Sequence, residues 1–309
     1  RPGSVSFFDK LRVLIAAAVA VVLVGYVGWT AARPPDPNLA VTFTASGKNL
    51  FTMWPTLLVL TLVAAAVGSA VAGPRLPEAG LLAAAVGLVA LDLHGGSMQT
   101  LLVYVADNST ADRRHLMFLM IVDTLLWAAL LAASWIVVNV VWRWIWGNHA
   151  APAPSGTPGA QRKSPTLVDR LGGGSLALIV TTVVAMLAIW MTVSRTPVAN
   201  IARGQVVASV FFGLYLGAMA GRYFTGVDHA RYYLAAPPAV AVIGYLLGHL
   251  QANMSWARGP LAAYALLATT PPHALARPLP IEYVAVGLAG AIIGFWSGEK
   301  IEHAAKEHT

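Results

Sequence analysis

Eight runs of roughly twenty apolar residues dominate this chain, and that is the length an α-helix needs to cross the hydrocarbon core of a bilayer. They extend over Leu11 to Ala32, Leu50 to Ala72, Gly80 to Val105, Leu116 to Trp146, Ser175 to Ser194, Gln205 to Phe224, Tyr232 to Leu250 and Ile281 to Trp296, the third being interrupted. Backbone amides and carbonyls in lipid must be satisfied within their own segment, so helices are the form these runs take. Only 11% of the 309 residues are charged against 57% hydrophobic, which excludes a water-soluble globule. Lys10 and Arg12 before the first run resemble the start of a signal peptide. That run ends in a motif that recurs later in the chain, so it is read as a retained span.

The recurring motif is T-x-x-R-x-P-x-x-N-[LI]-A. It comprises Thr30, Arg33, Pro35, Asn38, Leu39 and Ala40 after the first run, and Thr192, Arg195, Pro197, Asn200, Ile201 and Ala202 after the fifth, each position displaced by 162 residues. Between Asn148 and Gly174 lies a stretch rich in Pro, Gly, Ala and Ser, which buries too little apolar surface to fold. The chain therefore divides into a first four-helix repeat over 1–147, a flexible cytoplasmic linker over 148–174, and a second four-helix repeat with a short tail over 175–309. Four spans per half is an even number, so both halves insert in the same direction, related by a pseudo-two-fold axis along the membrane normal. Twelve of the 20 Lys and Arg fall on the side of the N-terminus when that side is cytoplasmic, which favours both termini inside.

Polar residues inside the apolar runs are the functional candidates, because an ionisable group at bilayer depth is costly and normally faces protein or a watery cavity. The third and seventh runs carry His94 and His249, and the fourth and eighth carry Asp123 and Glu282 near the same end. At 1.5 Å per residue His94 and Asp123 lie at depths agreeing to within a turn, which predicts a His–carboxylate pair in each half. Asp92, two residues before His94, points to a different helix face and is read as locally paired rather than part of that site. Gly95 and Gly96 break the third helix, and such a break is tolerated only against protein or a watery cavity. In each motif the Pro ends a helix, Asn38 and Asn200 are placed to cap the next segment, and Arg33 and Arg195 are placed to bond free carbonyls or to gather an anion at the outer face. Gly213, Gly217 and Gly221 form a small-xxx-small face for close helix packing.

Cysteine is absent, so disulfides, thiolate metal sites and cysteine nucleophiles are excluded. The pattern leaves the cofactor and any metal open: a haem could be clasped between His94 and His249, and His, Met and Asp together could hold copper, an arrangement weakened by the unequal His-to-Met spacings to Met98 and Met254. No P-loop, G-x-S-x-G, H-E-x-x-H or dinucleotide fingerprint occurs, which disfavours enzymatic chemistry. The net charge of +7 is scattered among short loops rather than gathered on a stripe, so nucleic acid is not an expected partner. The expected protein is an all-α integral membrane protein of eight transmembrane helices, placed in the bacterial inner membrane. Its expected function is that of a small-solute or ion/proton-coupled permease component, with Arg33, Asn38, Arg195 and Asn200 framing an outer vestibule and His94, Asp123, His249 and Glu282 lining it. The alternative is a non-catalytic anchor or scaffold subunit of a larger, haem-containing redox complex. The bilayer is the expected partner of either, with further membrane subunits in the second.

Overall fold

In the computed structural model the described residues are 7–45, 50–105, 110–147, 167–193, 203–251, 271 and 273–307, and among them there are helices and no strands. The helices are α1 (Phe7–Ala32), α2 (Leu50–Ala72), α3 (Ala79–Asp92), α4 (Met98–Val105), α5 (Thr110–Trp146), α6 (Leu167–Thr192), α7 (Arg203–Thr225), α8 (Arg231–Leu250) and α9 (Glu282–Ile301). Seven of them are long and apolar enough to cross a membrane. The third expected span is the exception: α3 has 14 residues, or about 21 Å at the helical rise, too short for a core of about 30 Å. The interruption foreseen at Gly95 and Gly96 is a true chain break in the helix, followed by the eight-residue α4. Residues 148–166 of the expected linker lie outside the described residues, and α6 begins within its last part, at Leu167.

Small residues explain how α3 comes to be enclosed. Its Ala79 to Ala85, Gly87, Leu88 and Leu91 are all buried, the pattern of a helix surrounded by others rather than one with a lipid face. A Cβ on Gly87 would lie 2.7 Å from the Ala20 carbonyl of α1, and one on Gly80 would lie 2.6 Å from the Ala65 carbonyl of α2. Close backbone approach of this kind is how helices associate when lipid offers no hydrophobic drive between them. The same device recurs in the other half. Gly217 brings α7 against the Thr181 carbonyl of α6, as the Gly213, Gly217 and Gly221 spacing predicts. Gly290 and Gly294 of α9 sit against the Phe211 and Tyr215 carbonyls of α7, a second small-residue face beyond the one expected from the sequence.

The two halves interlock. α3 packs on α9 as well as on α1 and α2, and α8 packs on α5 as well as on α6. The third element of each half thus leans on the last helix of the other. Two stretches depart from α geometry into wider π turns, Val21–Val27 within α1 and Glu282–Val286 at the start of α9. The second carries one of the candidate acids, and π turns of this kind are frequent at functional sites.

Candidate functional site

The break after α3 creates the site. A helix end leaves carbonyls without intrahelical partners, and here the chain turns away through Gly95 and Gly96. The Gly96 amide donates to the Leu39 carbonyl at 2.9 Å, and a Cβ on Gly96 would collide with the Asn38 carbonyl, so the last residues of the first motif fit only against glycine. The freed carbonyls are met from another element. Arg203, the first residue of α7, donates from Nη2 to the Asp92 carbonyl at 2.5 Å and from Nη1 to the Gly95 carbonyl. A guanidinium at a helix C-terminus also complements the negative end of the helix dipole.

The same guanidinium faces two carboxylates. Its Nη2 lies 2.8 Å from Asp92 Oδ1 and its Nε lies 3.4 Å from Glu282 Oε1. Asp92 is 0% and Glu282 2% exposed, so both acids are withdrawn from solvent. Glu282 Oε2 accepts the Leu279 amide at 2.7 Å, which ties the start of α9 to the chain before it. Asp92 Oδ2 has no hydrogen-bond partner among the described residues, and it is buried. Two carboxylates against one guanidinium leave the centre one positive charge short. Asp92, read from the sequence as a local pair outside the site, is therefore at its middle; it does point away from the His94 face, but that face is the outer one.

Asp123 is handled differently. It is fully buried on α5, and its Oδ1 accepts the Phe43 amide at 2.8 Å, the Thr44 amide at 2.9 Å and the Thr44 hydroxyl at 3.1 Å. Its Oδ2 accepts the Trp127 indole at 3.2 Å, whose ring stacks on Phe43 with centroids 4.1 Å apart. Four donors converge on one carboxylate, and no cation takes part. This arrangement latches the segment after the first motif onto α5.

The histidines stand apart from all three acids. His94 is exposed, its Nδ1 lies 2.7 Å from the Ala90 carbonyl of its own helix, and its ring packs on Trp29 and Tyr26 with centroids 5.3 Å away in each case. His249 is partly exposed and its Nδ1 lies 3.0 Å from the Arg114 carbonyl. The expected His94–Asp123 and His249–Glu282 pairs do not form, because each imidazole finds a nearby carbonyl. No described contact joins the two rings, so a haem clasped between them gains no support from the geometry. Among the described residues no three His, Asp or Glu side chains converge as a metal-ligand group.

Arg33 and Asn38 are both exposed at the first motif. Asn38 does not cap a helix; Asp36 holds the corner instead, its carboxylate accepting the Asn38 amide at 2.9 Å and its carbonyl the Leu39 amide at 3.0 Å. Arg195 and Asn200 lie outside the described residues. Arg203 itself was missed because it falls one residue beyond the second motif. At the repeat offset its counterpart is Val41, so comparing the halves position by position marks it as the place where one copy carries a charge and the other does not.

Comparison with known proteins adds no name: no family model, curated protein or solved structure matches this chain.

Proposed function

We propose that this integral membrane protein is an ion-coupled permease component for a small solute, with Asp92, Arg203 and Glu282 as the coupling centre and Asp123 as a structural latch. The observation that carries the reading is a buried, charge-deficient cluster at the end of a broken helix, where the first and second halves meet. Scaffolds gain little from such a cluster, since buried ion pairs are often no more stabilising than apolar packing. A carrier gains a site whose charge changes with the ion it holds, placed where two interlocked halves can move against each other. Arg33, exposed at the adjacent corner, remains the candidate for gathering an anionic solute at the outer mouth, with Arg195 as its counterpart in the second copy.

Two features support a tandem repeat within this reading. The third element of each half packs on the fourth helix of the other. In each half the acid of that fourth helix also grips residues just beyond the motif, Asp123 holding Phe43 and Thr44, and Glu282 holding Arg203. We place both termini on the cytoplasmic side of a bacterial inner membrane, an even number of crossings in which α3, enclosed by other helices, completes its passage through the non-helical chain beyond Asp92, and this sets the coupling centre toward the outer leaflet. A second reading, a non-catalytic subunit of a membrane complex, is favoured by an apolar lateral groove of about 280 Å³ between α3, α5, α8 and α9, lined by Leu81, Leu131, Trp135, Leu234 and Leu288.

Vesicles containing the purified protein and a pH- or sodium-sensitive dye, challenged in turn with amino acids, sugars and organic acids, test the proposal. A solute that evokes ion entry in the wild type, with the response lost in Asp92→Asn and Glu282→Gln and kept in His94→Gln, is the expected result. No evoked ion movement, or equal movement in all variants, leaves the subunit reading ahead.

A further inference from the structure

The coupling centre identifies its own ion. Arg203, its side chain 20% exposed, contributes one positive charge; Asp92 and Glu282, if both ionised, contribute two negative ones on buried side chains. An uncompensated buried charge costs far more than the centre's contacts return, so the balance is restored by a bound cation or a proton. A metal cation needs several oxygen ligands around it. Among the described residues no three His, Asp or Glu side chains group as a metal site, and the neighbouring oxygens are tied to protein partners: Glu282 Oε2 accepts the Leu279 amide, and the Tyr245 and Tyr283 hydroxyls donate to the Pro278 and Leu275 carbonyls at 2.5 and 2.8 Å. Asp123, on α5, is saturated by its four donors. Neither carboxylate oxygen of Asp92 has a hydrogen-bond partner among the described residues; Oδ1 faces the Arg203 guanidinium at 2.8 Å, and Oδ2 faces no described partner.

We infer that the Asp92–Arg203–Glu282 centre binds one proton, shared by the two carboxyl groups, as its missing positive charge. The charge count is then neutral, and removing either carboxylate removes the need for the proton. Occupancy of the centre by a proton stands independently of transport; that the proton is also the coupling ion rests on the permease reading.

Infrared difference spectroscopy of the protein in lipid, in H₂O and D₂O, tests the inference at neutral pH. The wild type is expected to show the carbonyl stretch of one protonated carboxyl per chain, shifting in D₂O. Asp92→Asn and Glu282→Gln each leave one acid against Arg203, so the band disappears in both; Asp123→Asn leaves it in place. Arg203→Gln strips the cation and is expected to double the band, and if that variant does not fold the two amide variants decide alone. A band that survives both amide variants overturns the assignment. So does a band missing in sodium buffer and present only when sodium is replaced by a bulky organic cation, which identifies sodium as the occupant. A band that behaves as expected in a protein that moves no solute keeps the proton site and defeats the permease reading.

Discussion

Asp123 and the Asp92–Glu282 pair are acids of comparable burial that have been solved in opposite ways. Around Asp123 the fold supplies hydrogen-bond donors and no cation, three of them from Phe43 and Thr44 alone. Around Asp92 and Glu282 it supplies a cation and too few donors, leaving Asp92 Oδ2 bare. A carboxyl group held by two backbone amides, a hydroxyl and an indole ties its segment to α5 and serves as a fastener. A carboxyl pair sharing one guanidinium has more than one charge state within reach, which is what a binding centre requires. The two sites differ in what the chain presents to them: beyond the first motif the Phe43 and Thr44 amides reach Asp123, and beyond the second the side chain of Arg203 reaches Glu282.

Removing Arg203 should separate the two regions most sharply. Arg203→Leu strands two buried acids and the carbonyls of Asp92 and Gly95, a loss of about 3–5 kcal/mol, read as a large drop in the melting temperature of the protein in detergent. Asp123→Ala comes next: it leaves the Phe43 and Thr44 amides buried without an acceptor, at about 1–3 kcal/mol, and protease cutting after the first motif should appear at lower temperature than in the wild type. His94→Gln should be the mildest, because the ring is exposed, its packing on Trp29 and Tyr26 is worth about 0.5–1.5 kcal/mol, and the Gln amide can replace its contact with the Ala90 carbonyl. A His94→Gln effect as large as that of Asp123→Ala would return the histidine to the site.

One further contrast depends on pH. His273 lies before α9, and its Nδ1 accepts the Leu275 amide at 3.2 Å, capping the short 3-10 turn Ala274–Ala276. Burial lowers its pKa below the ordinary imidazole value, so the neutral form is favoured in the fold. A depressed folded pKa contributes stability that is full above the unfolded value and lost as pH falls through the folded one. Protection factors across 274–283, taken relative to the intrinsic exchange rate at each pH, should therefore fall on acidification below about pH 6.5, while those at Phe43 and Thr44 stay unchanged over the same range. An equal fall in both places would remove His273 as the cause.

Much of the architecture was legible because hydropathy and length are local properties. The apolar runs, the break at Gly95 and Gly96 and the packing role of Gly213, Gly217 and Gly221 all stem from residues close together in the chain. So did the burial of Asp123 and Glu282, which rests on the cost of a charge at bilayer depth. Partner choice was not legible. Imidazole and carboxylate at similar depth suggested a pair, but the Ala90 carbonyl, one turn back along the helix, reaches His94 first. Arg203 meets Asp92 across 111 residues of chain, and nothing in either neighbourhood announces the contact. Asp92 was set aside by a correct argument about helix faces applied to the wrong reference residue.

The most direct test of the contrast between the two acid sites needs no substrate: the thermal stability of Asp92→Asn and Asp123→Asn, measured side by side in the same lipid and buffer. An amide at position 92 stands in for the protonated carboxyl and leaves Glu282 balanced against Arg203 with no proton to bind, so that variant should melt at or above the wild-type temperature. An amide at position 123 turns a donor toward the Trp127 indole and should melt below it, by an amount corresponding to about 1–3 kcal/mol. The account is contradicted if Asp92→Asn proves as destabilising as Asp123→Asn, because Asp92 would then be one more fastener and the centre would have no missing charge to fill.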